Sequence, residues 1–113
     1  MSSIALPIPS AFEIIRVQLK KLGYFQIDKK KENHNSIDLI ADGSMRSIFV
    51  QAKVSAEQKP DKVFTKSEIE KIIGEAKSLG KEPWTAIIRI GADGQLIEGI
   101  IWTNLASLKR KTA

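Results

Sequence analysis

Ser36-Ile37-Asp38-Leu39-Ile40-Ala41-Asp42-Gly43, followed by Ile48-Phe49-Val50-Gln51-Ala52-Lys53, is the stretch on which the fold of this chain turns. Each half is apolar and β-branched enough for a strand, and Asp42-Gly43 between them signals a tight hairpin. Side chains alternate across a strand, so Ile48, Val50 and Ala52 share one face while Phe49, Gln51 and Lys53 share the other. The hairpin register can then bring Asp38 close to Gln51 and Lys53. An acid, an amide and an ammonium converging where a sheet face should be apolar is costly unless they bind something.

Upstream, residues 1–9 carry Pro7 and Pro9 and read as an extended lead-in. Ser10-Ala11-Phe12-Glu13 is a capping-box pattern that opens a helix, with Phe12, Ile15, Leu19 and Leu22 at helical spacing and Gly23 as its stop. Tyr24 to Asp28 is a short strand, and the polar run Lys29-Lys30-Lys31-Glu32-Asn33-His34-Asn35 is a loop. The hairpin strands are Ser36–Ala41 and Met45–Val54.

Downstream, Ser55 to Phe64 is a polar loop, and Thr65-Lys66-Ser67-Glu68 is a second capping box. It starts a helix whose apolar positions are Ile69, Ile72, Ile73, Ala76 and Leu79, ended by Gly80. Trp84–Ile90 is a continuous apolar strand of the kind buried on both faces. A turn at 91–94 and a fifth strand, Leu96–Trp102, follow. A short helix from Asn104 carries the basic tail Lys109-Arg110-Lys111.

The order is αβββαββ plus a short C-terminal helix. The second helix is a crossover that lets the fourth strand join the first three. The expected fold is an α/β/α sandwich on a mixed five-stranded central sheet, one domain over residues 1–113 with its core at about 10–102 and a tail at 109–113. Hydrophobic residues make up 42% and charged residues 27% of the chain, as in ordinary globular proteins. There is no cysteine, so a thiolate metal centre is excluded, and the single histidine, His34, argues against a histidine-based zinc site. A divalent metal would have to sit on oxygen ligands, which points to Mg²⁺, Mn²⁺ or Ca²⁺. No apolar stretch approaches the ~18 residues that span a bilayer, and the amino terminus lacks a secretory pattern, so a cytoplasmic protein without membrane contact is expected. The net charge of +5 favours a polyanionic partner.

At Asp38, Gln51 and Lys53 the chain resembles the PD-(D/E)XK nucleases of the restriction-endonuclease-like fold. Their signature is an Asp on the second core strand and (Asp/Glu)-x-Lys on the third, within an α-βββ-α-β core. The order of elements resembles that core over residues 10–102. In size and layout the chain looks most like the archaeal Holliday junction resolvases, and its Gln-x-Lys form looks like the Mrr-type endonucleases. The resemblance implies an Mg²⁺- or Mn²⁺-dependent endonuclease acting on DNA, with branched or junction DNA as the expected substrate and no small-molecule organic cofactor. It implies Asp38, Gln51, the Ala52 carbonyl and Glu13 as metal ligands, and Lys53 orienting or helping to deprotonate the attacking water. Glu13 stands where many members carry a glutamate on the first helix, but its place in the capping box explains it equally well.

Other residues stand beside this set. Lys29, Lys30 and Lys31 are either a solvated loop or the flank of a DNA groove, and Lys59, Lys62 and Lys66 after the third strand are expected on the same side; in such places they would contact phosphates without reading sequence. Ser36 is a strand-edge hydroxyl that could touch a phosphate, and His34 reads as a solvated loop residue. Tyr24, Trp84 and Trp102 read as core or interface. A homodimer is expected, because one chain of 113 residues offers little surface to grip a duplex. The neutral Gln51 supports an alternative: a catalytically inactive DNA-binding or dimerisation module that keeps the fold.

Overall fold

The computed structural model describes residues 8–33, 36–56, 63–91 and 96–106. The elements are α1 (Ile8–Lys21), β1 (Tyr24–Glu32), β2 (Ser36–Gly43), β3 (Ser47–Ser55), α2 (Lys66–Leu79), β4 (Glu82–Ile90) and β5 (Leu96–Asn104). They form an α/β fold with one mixed five-stranded sheet in the order β1-β2-β3-β4-β5. Only β3 and β4 are parallel; the other three pairings are antiparallel. The parallel pair is the one joined through α2, as the length of a crossover requires.

The sheet separates two apolar clusters. On one face Ala11, Ile15 and Leu19 of α1 pack on Ile37, Leu39, Ala41, Ile48, Val50, Ala52, Ala86 and Ile88. On the other face Ile72 and Ala76 of α2 pack with Phe49, Phe64, Ile87 and Leu105. The period-two alternation thus sends Ile48, Val50 and Ala52 under α1, and Phe49, Gln51 and Lys53 toward α2. β4 is buried on both faces from Thr85 to Ile88, as its continuous apolar run predicts. None of the described helices is long and apolar enough to cross a membrane.

Several boundaries differ from the sequence-based expectation. α1 starts at Ile8, so Ser10 lies inside the helix and not at its cap. Its buried face is Ala11, Ile15 and Leu19, whereas Leu22 lies past the last turn and is 61% exposed. β1 runs on through Lys29-Lys30-Lys31 to Glu32, because pairing with β2 continues to Ile37. Pairing with a partner strand overrides the weak strand propensity of lysine. The hairpin turn falls at Ser44 and Met45, closed by a hydrogen bond from the Gly43 amide to the Arg46 carbonyl at 2.7 Å. Gly43 is not in the left-handed region that an Asp-Gly turn would use. A side chain at position 43 would come within 3.3 Å of the Gly23 carbonyl oxygen and the Tyr24 ring, so close packing explains this glycine.

α2 ends as expected, with Gly80 at φ 70°. The Asn104 side chain accepts the Ala106 amide at 2.9 Å, as a helix cap would. Leu105 and Ala106 are helical, and the rest of the expected closing helix and the basic tail lie outside the described residues. At the hairpin end Lys81 donates to Asp42 at 2.9 Å and to Ser47 at 2.6 Å, and the Ser47 hydroxyl donates to Asp42. This cluster ties the β2–β3 hairpin to the start of β4.

Candidate functional site

Asp38 and Gln51 are register partners across β2 and β3. Their side chains leave the sheet on the α2 face, and the Gln51 amide donates to Asp38 Oδ1 at 2.9 Å. Both belong to the floor of a groove of about 410 Å³ between the β1–β2 half of the sheet and α2. One wall carries Lys30, Lys31, Asn33 and Ser36; the other carries Glu68, Lys71 and Glu75 of α2. A larger and more apolar cleft of about 570 Å³ lies on the α1 face at the hairpin end, beside Tyr24, Met45, Trp84 and Trp102. It contains none of the expected site residues, and the polar chemistry sits in the smaller groove.

The lysine wall depends on an irregularity in β1. Lys29 pairs with Leu39 and Lys31 with Asp38, so Lys30 is an extra residue in the ladder. Lys29 shares the α1 face with Leu39, where its ammonium lies 5.4 Å from the Phe12 ring centre. Lys31 shares the face of Asp38, and Lys30 also lines the groove. In a regular strand Lys29 and Lys31 would share one face and Lys30 the other. The bulge turns two successive lysines onto the same groove.

Gln51 carries the one buried side-chain polar atom without a hydrogen-bond partner among the described residues, its Oε1. Leaving such an oxygen unpaired costs about 1–3 kcal/mol. Turning the amide over would not relieve this, since the Asp38 carboxylate needs a donor. An orphaned amide oxygen beside a carboxylate is the donor chemistry that Mg²⁺ and Mn²⁺ take. Among the described residues no three His, Cys, Asp or Glu cluster closely enough to hold an ion. Mg²⁺, however, commonly uses only one or two carboxylates and fills its remaining positions with water. In kind and number the residues fit such an ion.

Lys53 is two residues along the same face as Gln51 and reaches α2. Its side chain is 13% exposed and donates to Glu68 Oε2 at 2.7 Å and to the Val63 carbonyl at 3.2 Å. The ammonium also lies 5.0 Å from the Phe64 ring centre. Glu68 is the third residue of α2; its Oε1 accepts the Thr65 amide at 2.9 Å while Thr65 Oγ1 accepts the Glu68 amide at 3.1 Å. Burial pushes the Glu68 carboxyl up, but the Lys53 and Thr65 hydrogen bonds outweigh it and hold the group below its ordinary value.

The remaining expected residues are placed as follows. Ser36 is buried and its hydroxyl is 3.4 Å from the Asn33 amide nitrogen, which donates to it on the groove wall. Ala52 sits in the ladder between Ile37 and Ala86, its methyl buried under α1. Glu13 projects from α1, the layer on the opposite side of the sheet, and pairs with Arg16. Hydrogen bonding to Arg16 lowers its carboxyl. It is not brought to the groove. His34, Lys59 and Lys62 lie outside the described residues.

Sequence reasoning missed Glu68, Lys71 and Glu75. Glu68 was legible only as the glutamate of a capping box, which occupies one of its two oxygens. Its fourfold spacing from Ile72 on α2, and Ile72's burial, is the signal that could have turned it toward the sheet. Comparison with protein-family models, curated proteins and solved structures finds no match to this chain.

Proposed function

We propose that the groove is the active site of a divalent-metal-dependent nuclease of restriction-endonuclease-like fold, hydrolysing DNA phosphodiesters. The observation that carries this reading is the contact of Asp38 with Gln51, whose amide oxygen is orphaned, at the floor of a lysine-walled groove. The αβββαββ order and the places of Asp38 on β2 and Gln51-x-Lys53 on β3 support it.

Asp38 and Gln51 would hold an Mg²⁺ or Mn²⁺ ion, whose charge would serve to polarise a phosphoryl oxygen and acidify water. Lys30, Lys31 and Lys71 stand where they can neutralise the phosphates on either side of the scissile bond. Lys53, confined by Val63 and Phe64, reaches the site through its ion pair with Glu68 on the groove wall. Junction DNA gripped by two copies of the chain is the proposed substrate. Cleavage of plasmid and four-way junction DNA with Mn²⁺ tests this: Asp38→Ala should lose at least about a hundredfold in rate. Equal cleavage by wild type and variant would remove the assignment.

A second reading is supported by the internal pairing of the site. The Asp38 carboxylate has the Gln51 amide and the Lys53 charge has Glu68, as in a fold retained for DNA binding without catalysis. This reading expects salt-dependent DNA binding that survives Asp38→Ala, with no cleavage at any Mn²⁺ concentration.

A further inference from the structure

The nuclease reading leaves its metal site one carboxylate short, because Glu13 is turned away with Arg16 on the other face of the sheet. Glu68 stands on the groove wall facing Asp38 and Gln51. Its carboxylate is divided between two partners of different kinds. Oε1 is fixed by the Thr65 amide as part of the helix cap, while Oε2 accepts the Lys53 ammonium. A carboxylate anchored through one oxygen and bridged to an ammonium through the other can exchange that ammonium for a metal cation without leaving its helix.

Lys53 is built to tolerate the exchange. Its ammonium also donates to the Val63 carbonyl at 3.2 Å and lies over the Phe64 ring, so losing Glu68 would not strand a buried charge. Gln51, whose oxygen is orphaned, stands directly across the ladder from Asp38 and two residues before Lys53 on the same face.

From this arrangement we infer that Glu68 is the second cation-binding carboxylate of the groove, held in reserve by Lys53 and released to the ion when it binds. The inference rests on the nuclease reading of the site, and it adds a regulated step to it. Without the ion, Lys53 occupies the oxygen that the ion would take. With the ion, Glu68 joins Asp38, two negative charges meet one divalent cation, and the Lys53 ammonium becomes free to face a phosphate.

Mn²⁺ binding to the full chain, followed by calorimetry and by the electron-spin signal of free Mn²⁺, tests this without any turnover. Glu68→Gln should weaken Mn²⁺ binding by at least about tenfold. Glutamine also serves in a capping box, so the helix start is kept. Lys53→Met should tighten binding several-fold by removing the competing ammonium, an effect no loss of folding can imitate. Glu13→Gln should leave binding unchanged. The inference is overturned if Glu68→Gln binds within twofold of wild type while Asp38→Asn does not, and the nuclease reading then still stands. It is also overturned if Lys53→Met weakens binding. Absence of Mn²⁺ binding by the wild type overturns both.

Discussion

Glu68 joins three parts of the molecule through one side chain: the cap of α2, the ammonium of Lys53 and the wall of the groove. Its carboxyl is held below its ordinary value in the folded chain, against the opposing effect of burial. Asp42 is lowered as well, by hydrogen bonds from Ser47 and Lys81. A group whose pKa is depressed on folding contributes stability that is complete above its unfolded value and lost as pH falls through its folded one. The urea midpoint should therefore be flat from neutral pH to about pH 5 and fall below about pH 4. Glu68→Gln should lessen that acid loss by up to about 1 kcal/mol, a figure reduced for screening because the side chain is 36% exposed. Midpoints at pH 6 and pH 3 check this; equal acid losses in variant and wild type would show that the Lys53–Glu68 pair adds nothing.

Elements differ in how plainly their residues announce them. α2 was legible at both ends, because Thr65-x-x-Glu68 and Gly80 satisfy the backbone groups that any helix leaves unpaired. Thr65→Ala should cost about 1 kcal/mol in chemical denaturation, since the Glu68 amide loses its acceptor. The hairpin strands were legible too, and with them the meeting of Asp38 and Gln51, because a period of two fixes the face once the partner is known. Lys53 obeyed that period as well, but the pairing of its ammonium with Glu68 was not legible, because four methylenes carry the charge from the sheet to α2. β1 was cut short at Asp28 because three lysines have no apolar alternation to show; pairing with β2 decided them. The bulge at Lys30 left no trace in composition, since which residue is extra depends on the register of two strands. Glu13 matched its expected position in sequence only, because the face of α1 is set by Ala11, Ile15 and Leu19, and their burial turns Glu13 to solvent.

At the scale of the whole molecule, each helix covers only part of the five-stranded sheet. α1 lies nearest β1 and β2, and α2 nearest β3 and β4 on the other side. Among the described residues no helix covers the α2 face of β1 and β2, and the groove opens there beside α2, with Asp38 and Gln51 on its floor. A chain of net charge +5 attracts polyanions whatever its grooves, so DNA binding alone would not locate a site. Two triple substitutions separate the cases. Lys30, Lys31 and Lys71 line the groove, whereas Lys20, Lys21 and Lys77 sit exposed in the last turns of the two helices, at the hairpin end of the sheet. Replacing either set with glutamine takes the net charge from +5 to +2, a difference of three charges in each case. If charge acts diffusely, both triples weaken DNA binding alike. If the groove holds the backbone, only the first set removes phosphate contacts. The slope of log affinity against log salt should then fall by about 2 to 3 for that set and by less than about 1 for the other. Fluorescence anisotropy with a labelled junction between 50 and 300 mM salt would measure both slopes. Equal slopes would place the phosphate contacts outside the groove, and with them the reason for siting nuclease chemistry there.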